Sequence, residues 1–252
     1  MNTRVFVVGV VASVMLCAAE TSAQPVSPQP SAPWQFEFVP YLWGSGMKGI
    51  VGIGSHSADI DASFSDILSH LHFAAMGLTE VRRGRLVALT DLVYTDLRGQ
   101  DATPGPLFSS VNPKQKLFIL TSEGGVRLVD ADGTSLDVVG GLRFWHSKSE
   151  LQFGSGALPG VNMEASRNWV DAIGGVRARM AVSGSWWAGA YGDVGGGGSD
   201  LTYQLTGTAG WDIDTRYALV IGYRYLDVDY ANDAVLLDTA IKGPFFGFTF
   251  KW

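Results

Sequence analysis

The chain has 252 residues and a formal net charge of −6 at pH 7. An acidic chain without a basic patch argues against a nucleic-acid partner. The single cysteine, Cys17, lies near the start of the sequence, which excludes disulfides and thiol chemistry from the rest of the chain.

The first 23 residues have the layout of a secretory signal peptide. Arg4 gives a positive start, residues 5–19 form an uncharged apolar block, and small residues precede Gln24. This order is typical of a cleaved export signal. A lipoprotein signal would place a small residue before the cysteine, but Leu16 occupies that position.

Residues 24–33 are rich in proline and serine and predict a short extended tether. Residues 34–252 contain no further proline-rich or charge-rich break, so we expect one domain. No uncharged apolar run after the signal reaches the roughly 18 to 20 residues of a spanning helix. The mean hydropathy is nevertheless +0.15 and 12% of the residues are aromatic, which indicates an extensive apolar surface of another kind.

Apolar residues alternate with polar ones along most of this domain, which is the period of a β-strand. The clearest example begins at Leu201, where Leu201, Tyr203 and Leu205 fall on one face. Thr202 and Gln204 fall on the opposite face. The pattern predicts an all-β fold built from many strands.

Charged residues of both signs fall on only one face of each predicted strand. Eleven charged residues lie on that face: Glu80, Asp91, Glu123, Arg127, Asp137, Arg143, Asp171, Arg177, Arg179, Asp193 and Arg224. A soluble sandwich or barrel would expose such a face to water. A membrane barrel would turn it inward, because a charge on the lipid face near the midplane costs roughly 2–4 kcal/mol.

Three features favour the membrane alternative. Aromatic residues gather near the predicted strand ends, as in interfacial girdles, and the last strand ends on an aromatic residue, Trp252. Short connections also alternate with long ones, as in bacterial outer-membrane barrels. The short connections are 82–85, 130–133, 183–185 and 212–215, and the long ones are near 98–114, 149–164 and 230–236.

The expected fold is a transmembrane antiparallel up-and-down β-barrel of about ten strands, with eight and twelve as alternatives. Lipid requires a closed barrel, because an open sheet edge would leave backbone groups unpaired. The predicted strands are about 34–45, then 72–82, 86–97, 115–129, 134–148, 165–181, 186–197, 200–212, 216–230 and 236–252.

Residues 46–71 are predicted to form an outer excursion or a short hairpin rather than an additional spanning strand. Within them, residues 63–71 predict a short helix with Ser63 or Ser65 as its N-cap. Pro40 and Pro244 cannot donate ladder hydrogen bonds. We therefore expect irregular pairing where the first and last strands meet.

Several sequence blocks resemble a widespread family of Gram-negative outer-membrane β-barrel proteins without assigned function. They are PYLWGSGMKG at 40–49, DASFSDILSHL at 61–71, GDVGGGGSD at 192–200, GYRYLDVDY at 222–230 and GPFFGFTFKW at 243–252. The resemblance implies a barrel located in the outer membrane and surrounded by its lipids. It implies no reaction and no ligand.

The last strand places aromatic residues at every second position, at Phe246, Phe248, Phe250 and Trp252. This pattern resembles the C-terminal signal that the outer-membrane assembly machinery reads in Gram-negative barrels. The resemblance implies that this machinery is a partner of the chain.

The eleven inward charges allow two interpretations. They could line a selective pore, or they could form a mutually neutralising network that fills a narrow lumen, since arginine and carboxylate pair well in crowded interiors. A ten-stranded barrel is too narrow for a porin-sized channel, which takes about 16 strands. We therefore expect a non-enzymatic barrel with a packed lumen in a structural or membrane-integrity role. A narrow or gated channel for small solutes is the first alternative and a lipid-modifying enzyme the second.

No cofactor or metal is predicted. His70 and His72 would share a strand face, but a third ligand at matching spacing is missing. Serines lie beside His70 and His146, but no nucleophile motif surrounds them.

The glycine-rich stretch at 191–204 is the remaining candidate ligand loop. No helix follows it, as a phosphate loop requires, and its single G-G-x-G-x-D match lacks the repeats of a calcium-binding array. We expect an outer hairpin in which Gly195 to Gly198 allow close approach of the strands. Asp193 would then face the lumen and pair with an arginine such as Arg179 or Arg224, and Asp200 could cap the turn.

Overall fold

A computed structural model of the chain describes residues 32–53, 56–99, 107–232 and 235–252. The predicted signal peptide at 1–23 lies outside the described residues, as does most of the tether. Both therefore stay predictions.

Strands account for nearly all of the described chain. They are β1 Trp34–Trp43, β2 Gly46–Ile53, β3 His56–Ala62, β4 Leu71–Arg83, β5 Leu86–Arg98, β6 Phe108–Ala131, β7 Thr134–Ser155, β8 Val161–Ser183, β9 Trp186–Gly197, β10 Leu201–Asp212, β11 Tyr217–Ala231 and β12 Val235–Lys251. One helix, α1, spans Phe64–Ser69 between β3 and β4.

Ten of the described strands form a closed antiparallel ring. Strands β4 to β12 pair in chain order, β1 pairs with β4, and β1 also pairs with β12. The last pairing closes the sheet, so the predicted barrel and its strand number of about ten are confirmed.

The segment between β1 and β4 adds a hairpin and no spanning strand, as predicted. Strand β1 ends at Trp43, opposite Phe245 of β12, and β2 continues the ladder on β12 from Gly46, opposite Lys242. Strand β3 pairs with β2 alone. The β2–β3 hairpin therefore extends the wall of the barrel at one end.

The two ends of the barrel differ. At one end, here called the short-turn end, β1 begins, β12 ends, and tight turns connect β4 to β5, β6 to β7 and β8 to β9. Gly84, Gly133 and Gly184 occupy these turns with φ of +59°, +72° and +56°, a conformation that favours glycine. The opposite end, here called the extended end, carries the longest strands and the β2–β3 hairpin.

The predictions of two long loops are wrong. Loops were expected at 98–114 and 149–164, but β6 begins at Phe108, β7 continues to Ser155 and β8 begins at Val161. These segments carry Ser, Asn, Gln, Lys and Glu on both faces, so they lack the one-sided alternation of a strand in lipid. Their backbone ladder nevertheless continues from β6 through β7 to β8.

The extension is also held by side chains. Lys148 Nζ on β7 lies 2.8 Å from Glu164 Oε1 on β8 and 3.0 Å from Glu150 Oε1. Its hydrogen bond to Glu164 is the largest cause of a raised pKa at Lys148, and its hydrogen bond to Glu150 lowers the pKa of that carboxyl. Partly exposed ion pairs of this kind contribute little to stability, so the backbone ladder is the main support.

The third predicted excursion, 230–236, is also shorter than expected. Strand β11 ends at Ala231 and β12 begins at Val235. The Asn232 side chain accepts a hydrogen bond from the Val235 backbone N–H at 2.8 Å, which is a local turn contact of the kind that asparagine favours.

The closing ladder is interrupted beside Pro40. Pairs between β1 and β12 are present at Phe38–Phe250 and again at Tyr41–Gly247, with no pair between them. Proline lacks the N–H that the ladder needs, which accounts for the predicted irregularity. Pro244 stays in register with Tyr223 of β11 and accepts a backbone hydrogen bond from Gly44 at 2.8 Å.

Helix α1 begins at the predicted cap, Ser63. The Ser63 hydroxyl accepts a hydrogen bond from the Asp66 N–H, and the Asp66 carboxylate accepts one from the Ser63 N–H, which together form a capping box. The hydrogen bonds from Ser63 lower the pKa of the Asp66 carboxyl. No helix among the described residues is long and apolar enough to cross a membrane.

The outer face of the ring carries an apolar belt. On β11 the outward residues from Tyr217 to Tyr225 are apolar or aromatic, and Arg216 and Asp227 flank them. This stretch is nine residues long, which matches the roughly 9–11 residues of a tilted transmembrane strand. Leu142 on β7 lies within the same belt and is 56% exposed. The belt is therefore as tall as the hydrocarbon layer of a bilayer.

Aromatic side chains border the belt at the short-turn end. Phe36 stacks on Trp252 with ring centroids 6.2 Å apart, and Trp186 stacks on Trp211 at the same distance. Such girdles lie at the level of lipid headgroups in membrane barrels.

A charge in the middle of the belt should destabilise the barrel. We expect Leu142→Arg to lower the free energy of unfolding by about 2–4 kcal/mol, because the guanidinium would face hydrocarbon. The measurement is urea unfolding in lipid vesicles, followed by tryptophan fluorescence. The control is Asn162→Arg, on an exposed residue of the extended end. Equal stabilities of the two variants would contradict a lipid-facing belt.

Candidate functional site

The lumen is the candidate site, because the chain's buried charges converge there. Its opening at the short-turn end is a vestibule with a volume of about 1200 Å³. The charged residues that line the vestibule are Glu37, Glu80, Arg82, Arg127, Asp130, Arg177, Arg179, Asp212, Arg216 and Lys251. Further inside is a smaller inner cavity of about 160 Å³.

The ion pairs of Arg127 and Arg177 connect both neighbouring and distant strands. Arg127 on β6 bonds Asp137 on β7 through two nitrogens, at 2.7 and 3.1 Å. Arg177 on β8 lies 3.3 Å from Asp137 and 2.6 Å from Glu80 on β4. Because β4 and β8 are not neighbours in the ring, the Arg177–Glu80 pair crosses the lumen.

Arg143 is fully buried and has three partners. It bonds Asp193 Oδ2 at 2.7 Å, and the hydroxyls of Thr121 and Thr202 each at 3.1 Å. Asp193 therefore pairs with an arginine in the lumen, as predicted, but that arginine is Arg143 and neither of the two named as examples. Asp193 on β9 reaches over β8 to β7, a contact that depends on the stagger of the strands around the barrel.

The other two predicted arginines pair elsewhere. Arg224 lies 3.0 Å from Asp91 and donates to the Tyr41 hydroxyl at 2.8 Å. Arg179 lies over the Trp187 ring at 3.8 Å from its centroid and lies 3.4 Å from Asp212. Arg–aromatic stacking of this kind is favourable where water is scarce.

Two of the predicted acids have no arginine partner among the described residues. Glu123 accepts a hydrogen bond from the Tyr191 hydroxyl at 2.9 Å. Asp171 accepts one from Trp145 Nε1 at 2.9 Å and two from Ser199. Asp171 therefore orients aromatic and turn groups and does not neutralise an arginine.

Sequence reasoning missed six of the charged residues that line the vestibule: Glu37, Arg82, Asp130, Asp212, Arg216 and Lys251. Glu37 shares its strand face with the inward residues Val39 and Tyr41, so alternation within β1 was a signal that could have identified it. Asp212 and Lys251 lie at strand ends, and their 2.6 Å pair joins β10 to β12. That contact depends on the ring and has no local signal.

The extended end of the lumen is filled by apolar side chains. Trp145, Trp169 and Tyr230 stack in sequence, with ring centroids 5.5 Å and then 4.0 Å apart. Trp145 is fully buried, and the other two are nearly so. We call these three rings, with the buried apolar residues packed around them, the aromatic plug. The residues of that cluster are Tyr41, Trp43, Val93, Leu117, Ile119, Leu226, Val228, Val235, Leu237 and Ile241.

The glycine-rich stretch forms the β9–β10 hairpin at the extended end, as predicted, and it packs against Trp169 of the aromatic plug. Gly197 has φ of +144°, and a Cβ at Gly198 would lie 2.7 Å from Trp169 Cβ. The cap of the turn is not Asp200 but Asp171 of β8, which accepts from the Ser199 N–H at 2.6 Å. Trp169 Nε1 donates to the Ser199 hydroxyl at 2.8 Å.

The C-terminal aromatic residues lie on the outer face of β12. Phe246, Phe250 and Trp252 are 52%, 38% and 67% exposed. Phe248 lies on the same face and packs against Tyr217, with ring centroids 5.8 Å apart. Recognition of these residues by the assembly machinery stays a prediction.

The histidines whose side chains are described do not form a metal site. His70 Nδ1 lies 2.8 Å from the Asp66 carbonyl, His72 Nδ1 lies 3.8 Å from Asp96, and His146 Nδ1 lies 2.5 Å from Asn168 Oδ1. Within the described part of the chain, no group of three or more His, Cys, Asp or Glu is placed to hold a metal ion.

A closed ring of ten strands, with an apolar belt outside and charges inside, is the architecture of a bacterial outer-membrane barrel. The chain is an outer-membrane β-barrel. Its lumen is open as a vestibule at the short-turn end and filled by the aromatic plug at the other.

Comparison with known proteins does not assign the chain to a family. No protein-family model and no curated protein matches the chain. Among solved structures, the outer membrane protease OmpT from Escherichia coli is 8% identical, with a TM-score of 0.47 over 89% of this chain and 99% of that one. The translocator domain of the autotransporter NalP from Neisseria meningitidis is 13% identical, with a TM-score of 0.46 over 87% and 88%.

The attachment invasion locus protein Ail of Yersinia pestis is 10% identical, with a TM-score of 0.39 over 88% of this chain and 99% of that one. These likenesses are too distant to transfer a function. The barrel assignment therefore rests on the ladder and the two faces of this chain.

The contact between the glycine turn and the aromatic plug gives a matched test. Gly198→Ala should lower the free energy of unfolding by about 1–3 kcal/mol, because the new methyl group overlaps Trp169. The control is Gly174→Ala, since a Cβ at Gly174 would have no atom within 4 Å. The measurement is urea unfolding in vesicles, and equal stability of the two variants would show that the turn is not packed against Trp169.

Proposed function

We propose that this outer-membrane barrel is non-enzymatic, with a structural or membrane-integrity role, and that its lumen is closed to solutes on the outer side and accessible from the periplasm. The single observation that carries the proposal is the aromatic plug, which occupies the lumen at the extended end. Short turns lie on the periplasmic side of bacterial barrels, so the vestibule would face the periplasm.

The plug is built from side chains of the barrel strands themselves. Trp145 lies on β7, Trp169 on β8 and Tyr230 on β11. Hydrogen bonds from the two indoles to Asp171 and Ser199 fix the ring orientations. Opening a passage would therefore require breaking the stack and leaving buried polar groups unpaired, which is costly.

The contacts of the histidines support a non-enzymatic role. The Ser69 hydroxyl lies 3.0 Å from His70 Nδ1, but it donates to the Asp66 carbonyl at 2.8 Å, and the same His70 nitrogen also contacts that carbonyl. These are contacts at the end of α1. A catalytic serine would need a free histidine nitrogen that an acid orients.

A gated channel is the alternative that the vestibule and inner cavity favour, and conductance separates the two. We expect the purified wild-type barrel to be silent in planar bilayers, because the plug blocks the lumen. Removing the stack in Trp145→Ala/Trp169→Ala/Tyr230→Ala should produce steady conductance steps. The control is Trp186→Ala/Trp211→Ala, which removes a stacked pair of the outer belt and should stay silent. Regular conductance of the wild type would overturn the closed-lumen proposal.

The side of access can be tested with a single cysteine, since Cys17 is the only native cysteine and lies in the predicted signal peptide. Thr208 lines the inner cavity. We expect Thr208→Cys to resist a membrane-impermeant maleimide applied to intact cells and to react after the periplasm is opened. The control is Ser166→Cys at the extended end, which should react on intact cells. Labelling of Thr208→Cys from outside would contradict the proposed closure.

A further inference from the structure

The inner cavity contains N–H donors that have no partner. Arg224 Nε and Trp187 Nε1 are both buried without a hydrogen-bond partner, and both residues line this cavity. Arg224 is only 8% exposed, so its free N–H is deep in the barrel. A buried donor without an acceptor is destabilising, which favours a guest that can accept a hydrogen bond.

The same cavity is lined by two carboxylates that make no ion pair among the described residues. Glu37 and Glu123 both line it, and neither makes an ion pair within 4 Å in the described parts of the chain. Glu37 also lies directly opposite Glu80 in the β1–β4 ladder, a like-charged pairing that is destabilising by itself. These acids favour a guest that carries a positive group.

Each end of the cavity offers one group of each kind. Glu37 and Trp187 line both the vestibule and the inner cavity, whereas Glu123 and Arg224 line the inner cavity alone. At its entrance the cavity therefore has a carboxylate without an ion pair and an N–H without an acceptor. A second such combination lies at its inner end.

We propose that the inner cavity binds a small zwitterionic organic molecule, with the size and charge pattern of a free amino acid, which enters through the vestibule. A volume of about 160 Å³ holds about five waters at their liquid volume, so it is large enough for such a molecule. The ammonium group would pair with Glu123 or Glu37, and the carboxylate would accept from Arg224 Nε or Trp187 Nε1.

Simpler guests match the cavity less well. An anion alone would lie beside Glu37 and Glu123, which make no ion pair, and an organic cation alone would leave Arg224 Nε and Trp187 Nε1 without an acceptor. Bridging waters would satisfy the hydrogen bonds but would not neutralise the acids. The zwitterion satisfies both kinds of group at once.

The test compares alanine with two molecules that each keep one of its charged groups. The full barrel in detergent is titrated calorimetrically with L-alanine, with propionate, which keeps the carboxylate, and with ethylamine, which keeps the ammonium group. We expect saturable binding of alanine that is at least tenfold tighter than that of propionate or ethylamine. No saturable binding of alanine, or equal binding of the three probes, would overturn the proposal.

Two variants locate the site. Glu123→Gln removes a charge at nearly unchanged volume, and Trp187→Phe removes the unpaired indole N–H while keeping an aromatic ring. We expect each variant to weaken alanine binding at least tenfold. The control is Glu164→Gln, which removes an exposed acid of the extended end and should bind as the wild type does. Wild-type affinity in both cavity variants would overturn the assignment.

Heat-modifiable gel migration shows whether a variant barrel has folded. If either variant does not fold, competition decides: an excess of propionate or ethylamine should displace alanine from the wild type, and failure of both to compete would contradict the site. A crystal structure at saturating alanine with only waters in the inner cavity would also refute the proposal.

The inference rests on the proposed function only for the route of entry. Detergent exposes both ends of the barrel, so a lack of binding there leaves the closed lumen intact. Conductance of the wild type, in contrast, would refute the closed lumen and leave the binding result standing.

Discussion

In hydrocarbon, a backbone N–H or carbonyl finds no water, so every strand of this chain must be paired on both sides where it crosses the membrane. Strand β12 meets this requirement by pairing with β11 along one edge and with β1 and then β2 along the other. Closure of the sheet is thus shared between two short strands. The interruption at Pro40 is tolerated because the register continues on either side of it.

Closure with ten strands leaves an interior that is narrow enough for side chains to fill. Its two ends are lined by different kinds of side chain. Arginines and carboxylates pair around the vestibule, where water reaches them, and the aromatic plug occupies the other end. Asp171 joins the plug to the β9–β10 turn at the extended end, because its carboxylate accepts hydrogen bonds from both the Trp145 indole and the Ser199 backbone N–H. The unpaired groups lie between the vestibule and the plug, in the inner cavity, which is why the proposed ligand site is there.

The predictions succeeded where a local pattern was sufficient. The alternation at Leu201 to Leu205, the cap at Ser63 and the tight turns at Gly84 and Gly133 are all found in the structure. They failed where a contact joins distant strands, since the partner of Asp193 is Arg143 on a strand that is not its neighbour. They also failed in the long extensions of β6, β7 and β8, because polar residues on both faces hide the strand alternation there.

By itself, the sequence determined that this chain is a membrane barrel, because lipid excludes charge from one face of every strand and the resulting period of two is visible in the residues. It also determined the inward face of the strands that carry the eleven predicted charges. Only the tertiary structure decided which charges pair, and that three rings from β7, β8 and β11 close one end. It also decided that Arg224 and Trp187 keep N–H groups without an acceptor, and that Glu37 and Glu123 make no ion pair among the described residues. These outcomes depend on the stagger of the strands around the ring, which no single strand contains.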